Sequence, residues 1–513
     1  MLLHHFFEDT ARRLPDRVAL VADGQRHTWA QLDQRANQLA ATLQQHGVRR
    51  GDRVALFLDN SVEMVVSVWA ALKAGAVFMP INPLTKHDKL AYLLNDSRAS
   101  ALISQATLGP VWQHALSANT TVHTALVVGL KDAATERVLP YGDTSADAGK
   151  AAPRDPGLID QDLAAIIYTS GSTGDPKGVM LTHLNMVSAN RSVSTYLGLR
   201  ESDVVLCALP LAFDYGLYQV LMAARVGATV VLERSFTFPV KVLETMTRER
   251  VTVFPGVPTM FSMLMAIKTL AEHDLTTLRM ITNTAAALSE EHIRQLRALF
   301  PQATLFSMYG LTECKRVTYL PPDQLDVRPT SVGRGMPNEE VWLVDEAGQR
   351  LPNGSTGELV IRGSNVMRGY WEKPYETAKR LREGSSVGGP AGEMVLLSGD
   401  LFRTDAEGYL YFVSRKDDII KSRGEKVSPR EVENALHALD GVYEVAVVGV
   451  PDELLGQAVK AFVVLKDGVH YTEREVIKHC LGHLESFMAP KYVEFVETLP
   501  KTDTGKIKKT GLS

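Results

Sequence analysis

Between Tyr168 and Val179 the chain reads Tyr-Thr-Ser-Gly-Ser-Thr-Gly-Asp-Pro-Lys-Gly-Val. The run holds four small hydroxyl residues, Thr169, Ser170, Ser172 and Thr173. Gly171, Gly174 and Gly178 lie among them, with Lys177 near the end. Glycine accepts dihedrals that other residues avoid, so such a bend can close around a ligand. Backbone N–H groups and hydroxyls donate to phosphate oxygens, and the lysine adds charge. The spacing is not that of the common phosphate loop, Gly, four residues, then Gly-Lys-Ser/Thr. The run therefore reads as a different triphosphate clamp or, on composition alone, as a plain surface loop.

Other groups along the chain could serve the same ligand. In Met308-Tyr-Gly-Leu-Thr-Glu-Cys314, Glu313 suits Mg²⁺, which takes one or two carboxylates together with phosphate oxygens. In Ser398-Gly-Asp-Leu-Phe402, the acceptor carboxylate of Asp400 can hold both hydroxyls of a ribose. Ile420-Lys-Ser-Arg-Gly-Glu-Lys-Val-Ser-Pro429 alternates charge around Gly424, as an exposed hairpin does. A basic tail, Pro500-Lys-Thr-Asp-Thr-Gly-Lys-Ile-Lys-Lys509, ends the series.

In this order the motifs resemble those of the adenylate-forming superfamily: acyl-CoA synthetases, peptide-synthetase adenylation domains and beetle luciferases. The resemblance implies that Thr169 to Lys177 hold the β- and γ-phosphates of ATP. It places Asn283, Thr284 and Ala285 in the adenine-contacting loop, a looser match because the usual glycines are Thr and Ala here. Tyr309 packs near adenine, Thr312 contacts phosphate and Glu313 holds the metal. Arg415 supports the sugar beside Asp400, although Ser414 stands where glycine is commoner, and Asp417 matches a hinge residue. Gly424 lets a pantetheine arm pass the backbone, and Lys506 bridges the substrate carboxylate and the α-phosphate. The catalytic set is thus Lys506, Thr312 and Glu313, with ATP and Mg²⁺ as cofactors. CoA or a carrier-protein phosphopantetheine is the acceptor that the resemblance implies.

The stretch Leu209-Pro-Leu-Ala-Phe-Asp-Tyr-Gly-Leu-Tyr-Gln219 is expected at the acid pocket, giving Phe213, Asp214, Tyr215 and Tyr218 as substrate residues together with Met308. A Phe-Asp pair occurs here in amino-acid adenylation domains, where the aspartate binds an ammonium; a local turn cap is the other reading of Asp214. Lys315 and Arg316 point to an acidic or polar substrate, or to contact with phosphate or solvent. The favoured expectation is a stand-alone enzyme that loads a small amino acid onto a carrier protein supplied in trans. An acyl-CoA ligase for a non-amino acid and a non-catalytic nucleotide-binding relative are the alternatives.

The elements that carry these residues read as an α/β protein. At 513 residues the chain is too long for one ordinary core. Hydrophobic residues make up 45% and charged residues 22%, as in ordinary globular proteins. A net charge of −4 gives no long-range pull toward nucleic acid. Cys207, Cys314 and Cys480 are too scattered for a disulfide framework or metal pairs, and read as buried small residues. Helical spacing at 28–46 and 62–74 alternates with strand patterns at 53–58, 77–79 and 101–104, the grammar of parallel sheets covered by helices. Residues 163–168 read as a buried strand and 180–185 as the start of a helix. The apolar run 64–81 is split by Lys73 and closed by Pro80, so it reads as a buried helix and strand rather than a membrane span. With no signal-like start, the reading is a cytoplasmic protein. The expected division is a large N-terminal domain, 1–415, with mostly parallel sheets, and a small mobile α+β domain, 416–513.

Overall fold

The computed structural model describes residues 1–119, 121–142, 152–169, 176–284, 288–422, 425–452, 455–484, 486–502, 507–509 and 511–512. Two largely parallel sheets dominate the N-terminal part. The nine-stranded sheet runs, from one edge, Arg334–Gly335, Thr318–Tyr319, Thr304–Tyr309, Met280–Asn283, Val253–Gly256, Val204–Cys207, Thr229–Leu232, Val18–Ala22 and Gln25–Thr28. Only its edge pairs are antiparallel. The eight-stranded sheet is parallel from Leu163–Thr169 through Val77–Ile81 and Arg53–Phe57 to Val138–Pro140. Strands buried on both faces read as unbroken apolar runs, which is why strands were expected at 53–58 and 77–79; they form at Arg53–Phe57 and Val77–Ile81.

The helices Trp29–Gln45 and Val62–Lys73 form where the apolar spacing predicts them. Thr28 caps the first through a reciprocal bond with Gln31, and Ser61 caps the second. Lys73, buried in the run that resembled a membrane span, is paired with Glu8 at 2.9 Å and Asp33 at 2.8 Å. Among the described residues no helix is long and apolar enough to cross a membrane. All three cysteines are buried and unbridged.

Three local expectations change. Residues 180 and 181 do not open a helix. They continue the strand Lys177–Thr182, and the helix begins at His183 with Thr182 as its cap. The antiparallel register Ile166↔Met180 and Ala165↔Leu181 takes this run into the sheet. Pro80 does not close its strand. It lies within Val77–Ile81, in parallel register with Leu56. The region 339–415 also forms an antiparallel five-stranded sheet of its own, in which Met394–Thr404 is a single strand of 11 residues.

The C-terminal part is a smaller α+β unit. Val442–Asp452 and Gly456–Leu465 pair antiparallel, and Ile420–Ser422, Glu425–Val427 and Tyr492–Phe495 complete the sheet. The helices Pro429–His437 and Glu473–Leu481 pack in the same core through Val432, Leu436, Val476 and Cys480. Ser428 caps the first of these, and its hydroxyl donates to the Val413 carbonyl at 2.7 Å.

Candidate active site

The serine-rich bend joins two antiparallel strands, and its flanking residues Thr169 and Lys177 face each other across the pair. Ser170, Gly171, Ser172, Thr173 and Gly174 lie outside the described residues, as do Ala285, Gly424 and Lys506. Lys177 makes an ion pair with Glu376 at 2.5 Å, and its ammonium lies 5.6 Å from the centre of the Tyr370 ring. The short strand Gly369–Tyr370 pairs with Lys177–Thr182, which fixes that ring beside the bend.

Tyr370 carries the contact onward. Its hydroxyl donates to Glu313 Oε1 at 2.7 Å, and the Met367 N–H donates to the Glu313 carbonyl at 2.7 Å. Burial, and then the charge of Glu313, push the phenol pKa upward, so the phenol keeps the proton it donates. One carboxylate oxygen of Glu313 is thereby oriented and the other is left for a hard cation, a donor set that fits Mg²⁺ together with phosphate oxygens. Thr312 lies half-buried one residue before it.

Tyr309 ends the strand Thr304–Tyr309, and its hydroxyl donates to Asp400 Oδ2 at 2.6 Å. Burial raises the Asp400 pKa, against the opposing pull of Tyr309, Arg415 and Arg380. Phe402 meets the Tyr309 ring edge-on at 4.8 Å. These groups form an aromatic wall with a carboxylate at its edge, suited to a base and a ribose. Arg415 is directly opposite Asp400 in the strand pair and is exposed. Gly399 has φ +73°, a conformation that favours glycine, and its bare backbone lies against the Arg380 guanidinium. Asn283 ends the strand Met280–Asn283 and is buried, as is Thr284. The charge of Glu313 also acts on both Tyr309 and Asp400, so the metal candidate and the sugar candidate share one region.

Of the residues expected at the acid pocket, Asp214, Tyr215 and Tyr218 gather around Lys315. The helix Asp214–Val226 starts after Phe213, its N-cap, and Tyr215 and Tyr218 are buried along it. A side chain on Gly216 would overlap the Pro210 carbonyl, so the helix packs directly on backbone. Asp214 is not a turn cap. Its carboxylate lies 3.5 Å from the Lys315 ammonium, which also donates to the Asp214 carbonyl at 2.9 Å. Lys315 and Arg316 are 3% and 2% exposed, which removes the solvent-contact reading. Burial lowers the Lys315 pKa to about 7, against the opposing charge of Asp214. Its ammonium lies 4.4 Å from the Tyr218 ring centre. Met308 accepts a contact from the Tyr196 hydroxyl at 2.9 Å.

Residues 7–371 match the AMP-binding enzyme family and residues 431–506 match the AMP-binding enzyme C-terminal domain. The chain belongs to the AMP-binding enzyme family. Relatives agree along the full length. A feruloyl-CoA synthase of Amycolatopsis sp is 35% identical over 502 residues, covering 97% of this chain and 96% of that protein. A long-chain-fatty-acid–CoA ligase of Bacillus subtilis is 32% identical, covering 98% and 93%. The crystal structure of an anthranilate CoA ligase, AuaEII, in complex with anthranoyl-AMP superposes with a TM-score of 0.89 at 28% identity, covering 100% and 96%. This AMP-binding enzyme is an ATP-dependent, AMP-forming ligase.

Several residues of the AMP-binding enzyme's site were not apparent in the sequence. Tyr370 and Glu376 hold Glu313 and Lys177, and Asn365 donates to the carbonyls of Cys314 and Arg316 and to Glu339. The run Arg368-Gly-Tyr-Trp371 is the only signal that could have marked Tyr370. Nothing local marks Asn365.

Proposed function

We propose that the chain activates a carboxylic acid without an α-ammonium group and passes the acyl group to the pantetheine thiol of CoA. A carboxylate oxygen attacks the α-phosphorus of ATP, the bond to pyrophosphate breaks, and an acyl-adenylate forms. The thiol sulfur then attacks the acyl carbon, AMP leaves, and the thiol proton passes to solvent. Tyr309, Asp400 and Arg415 hold the nucleoside, with Asn283, Thr284 and Ala285 along the base. Residues 169–174 and Lys177 hold the phosphates beside Thr312. Glu313 holds Mg²⁺, which when bound neutralises charge on the phosphate oxygens. Lys506 offsets repulsion between carboxylate and α-phosphate, as positioned cations do in phosphoryl chemistry. Gly424 gives the thiol arm its passage. The junction between the two domains falls after residue 415, with Asp417 as hinge, and the small domain turns about it between the two steps.

The observation that carries the choice of acid is the Lys315–Asp214 contact at 3.5 Å. An ammonium-bearing substrate needs a carboxylate left unmatched, and Asp214 already has a cation within the chain. Loading of a small amino acid onto a carrier protein therefore loses the residue that favoured it. The CoA-ligase names of several relatives support the same side, while Tyrocidine synthase 2 of Brevibacillus parabrevis matches at 32% identity as well.

ATP–pyrophosphate exchange over matched acids, with and without an α-amino group, tests the reading, followed by product formation with CoA and with a holo carrier protein. Exchange restricted to the non-amino acids and acyl transfer to CoA are expected. Exchange with amino acids alone, or transfer to the carrier alone, would refute it.

A further inference from the structure

Arg316 is a buried cation with no acid of its own. Its Nε has no hydrogen-bond partner, and among the described residues no carboxylate forms an ion pair with it. Its guanidinium lies 5.3 Å from the centre of the Tyr215 ring. The Lys315 ammonium lies 5.6 Å from the centre of the same ring. Asp214 faces Lys315 rather than Arg316, and Glu339, which Asn365 binds from behind the loop, forms no ion pair with Arg316 among the described residues. The Thr318 hydroxyl, fully buried two residues further on, is also without a partner. Burying a guanidinium Nε–H without an acceptor is unfavourable, a cost that an arriving anion can offset. Arginine's planar fork of donors fits a carboxylate in two parallel bonds.

The position of the loop is fixed by the chain, not by chance packing of a surface side chain. A side chain on Gly310 would overlap the Lys315 carbonyl, so the turn closes tightly on itself. Lys315 takes φ 67°, a conformation unusual for a residue other than glycine. Asn365 binds the carbonyls of Cys314 and Arg316 at 2.8 and 3.2 Å, which holds the loop from behind. Both cations are thus presented to the tyrosines of the acid pocket.

We propose that the acid substrate carries a second anionic group at its far end, and that Arg316, seconded by Lys315, binds it. The substrate class is a dicarboxylic acid or an acid with an equivalent terminal anion. One carboxylate is adenylated while the other stays ionised against the guanidinium. This rests on the acid-ligase reading and narrows it.

The test compares dicarboxylates of four to ten carbons, and terephthalate, with their monomethyl half-esters in ATP–pyrophosphate exchange. The half-ester keeps the length and one reactive carboxylate but loses the distal charge. Wild-type protein should favour at least one diacid over its half-ester by about 10- to 100-fold in kcat/KM. Arg316→Met should remove that preference by lowering the diacid alone, leaving the half-ester and the KM for ATP unchanged, and Arg316→Lys should restore part of it. Equal use of diacid and half-ester by wild-type protein would overturn the inference while leaving the ligase reading intact, and needs no variant to fold. A rise in the KM for ATP shared by every acid in Arg316→Met would make the residue a phosphate ligand instead. No exchange with any acid would remove the ligase reading and this inference together.

Discussion

The bond from Tyr370 to Glu313 offers the sharpest test of how the metal candidate is held. In Tyr370→Phe the ring keeps its place beside the Lys177 ammonium, and only the hydroxyl is lost. The lost bond is 2.7 Å long and runs to a carboxylate. A hydrogen bond to a charged group is worth about 1.5–3 kcal/mol. If that energy orients Glu313 for the metal, the loss appears as about a 10- to 100-fold fall in kcat/KM, since about 1.4 kcal/mol is tenfold. The assay is ATP–pyrophosphate exchange as a function of Mg²⁺ concentration, with thermal unfolding as a control on folding. The variant should need more Mg²⁺ to reach half its maximal rate. Unchanged exchange and unchanged Mg²⁺ dependence, in a protein that melts like the parent, would refute the assignment of Glu313 as an oriented metal ligand.

Other substitutions read different parts of the site. Tyr309→Phe removes the donor from buried Asp400 and should weaken nucleotide binding, measured by calorimetric titration of ATP, by about 1–2 kcal/mol. Gly310→Ala forces a methyl group into the Lys315 carbonyl and should destabilise the protein by about 1–3 kcal/mol, read as a lower melting temperature. Lys315 titrates near pH 7 in the folded protein against an ordinary value of 10.5. Between those values the unfolded chain binds more protons than the folded one, so stability rises with pH across that window. Lys315→Met should flatten this rise in denaturant titrations. Affinity for a doubly anionic acid should move the other way and fall as pH rises through about 7, because the ammonium loses its proton.

The elements legible in the sequence were those whose signal is local. Trp29–Gln45 shows its apolar face within one window, and Val62–Lys73 does the same. The strand Lys177–Thr182 was not legible at Met180 and Leu181, because an apolar run looks alike in a buried helix and in a hairpin, and only the register with Leu163–Thr169 decides. The same holds for the site. Glu313, Asp400 and Tyr309 stood out through short motifs, whereas Lys315 meets Asp214 across 101 positions of chain. Tyr370 meets Glu313 across 57, and no window of sequence contains such a pair. The second cation, Arg316, was visible as a residue, but its lack of an acid partner is a property of the folded interior alone.

The central claim is that separate loops meet around one Mg²⁺-bound nucleotide. A crystal structure of the full chain with Mg²⁺ and a non-hydrolysable ATP analogue tests it most directly. Ribose hydroxyls should lie on Asp400, the base against Tyr309, and the metal on Glu313, with Lys177 near the phosphates. A nucleotide bound elsewhere, or a metal that bypasses Glu313, would contradict it.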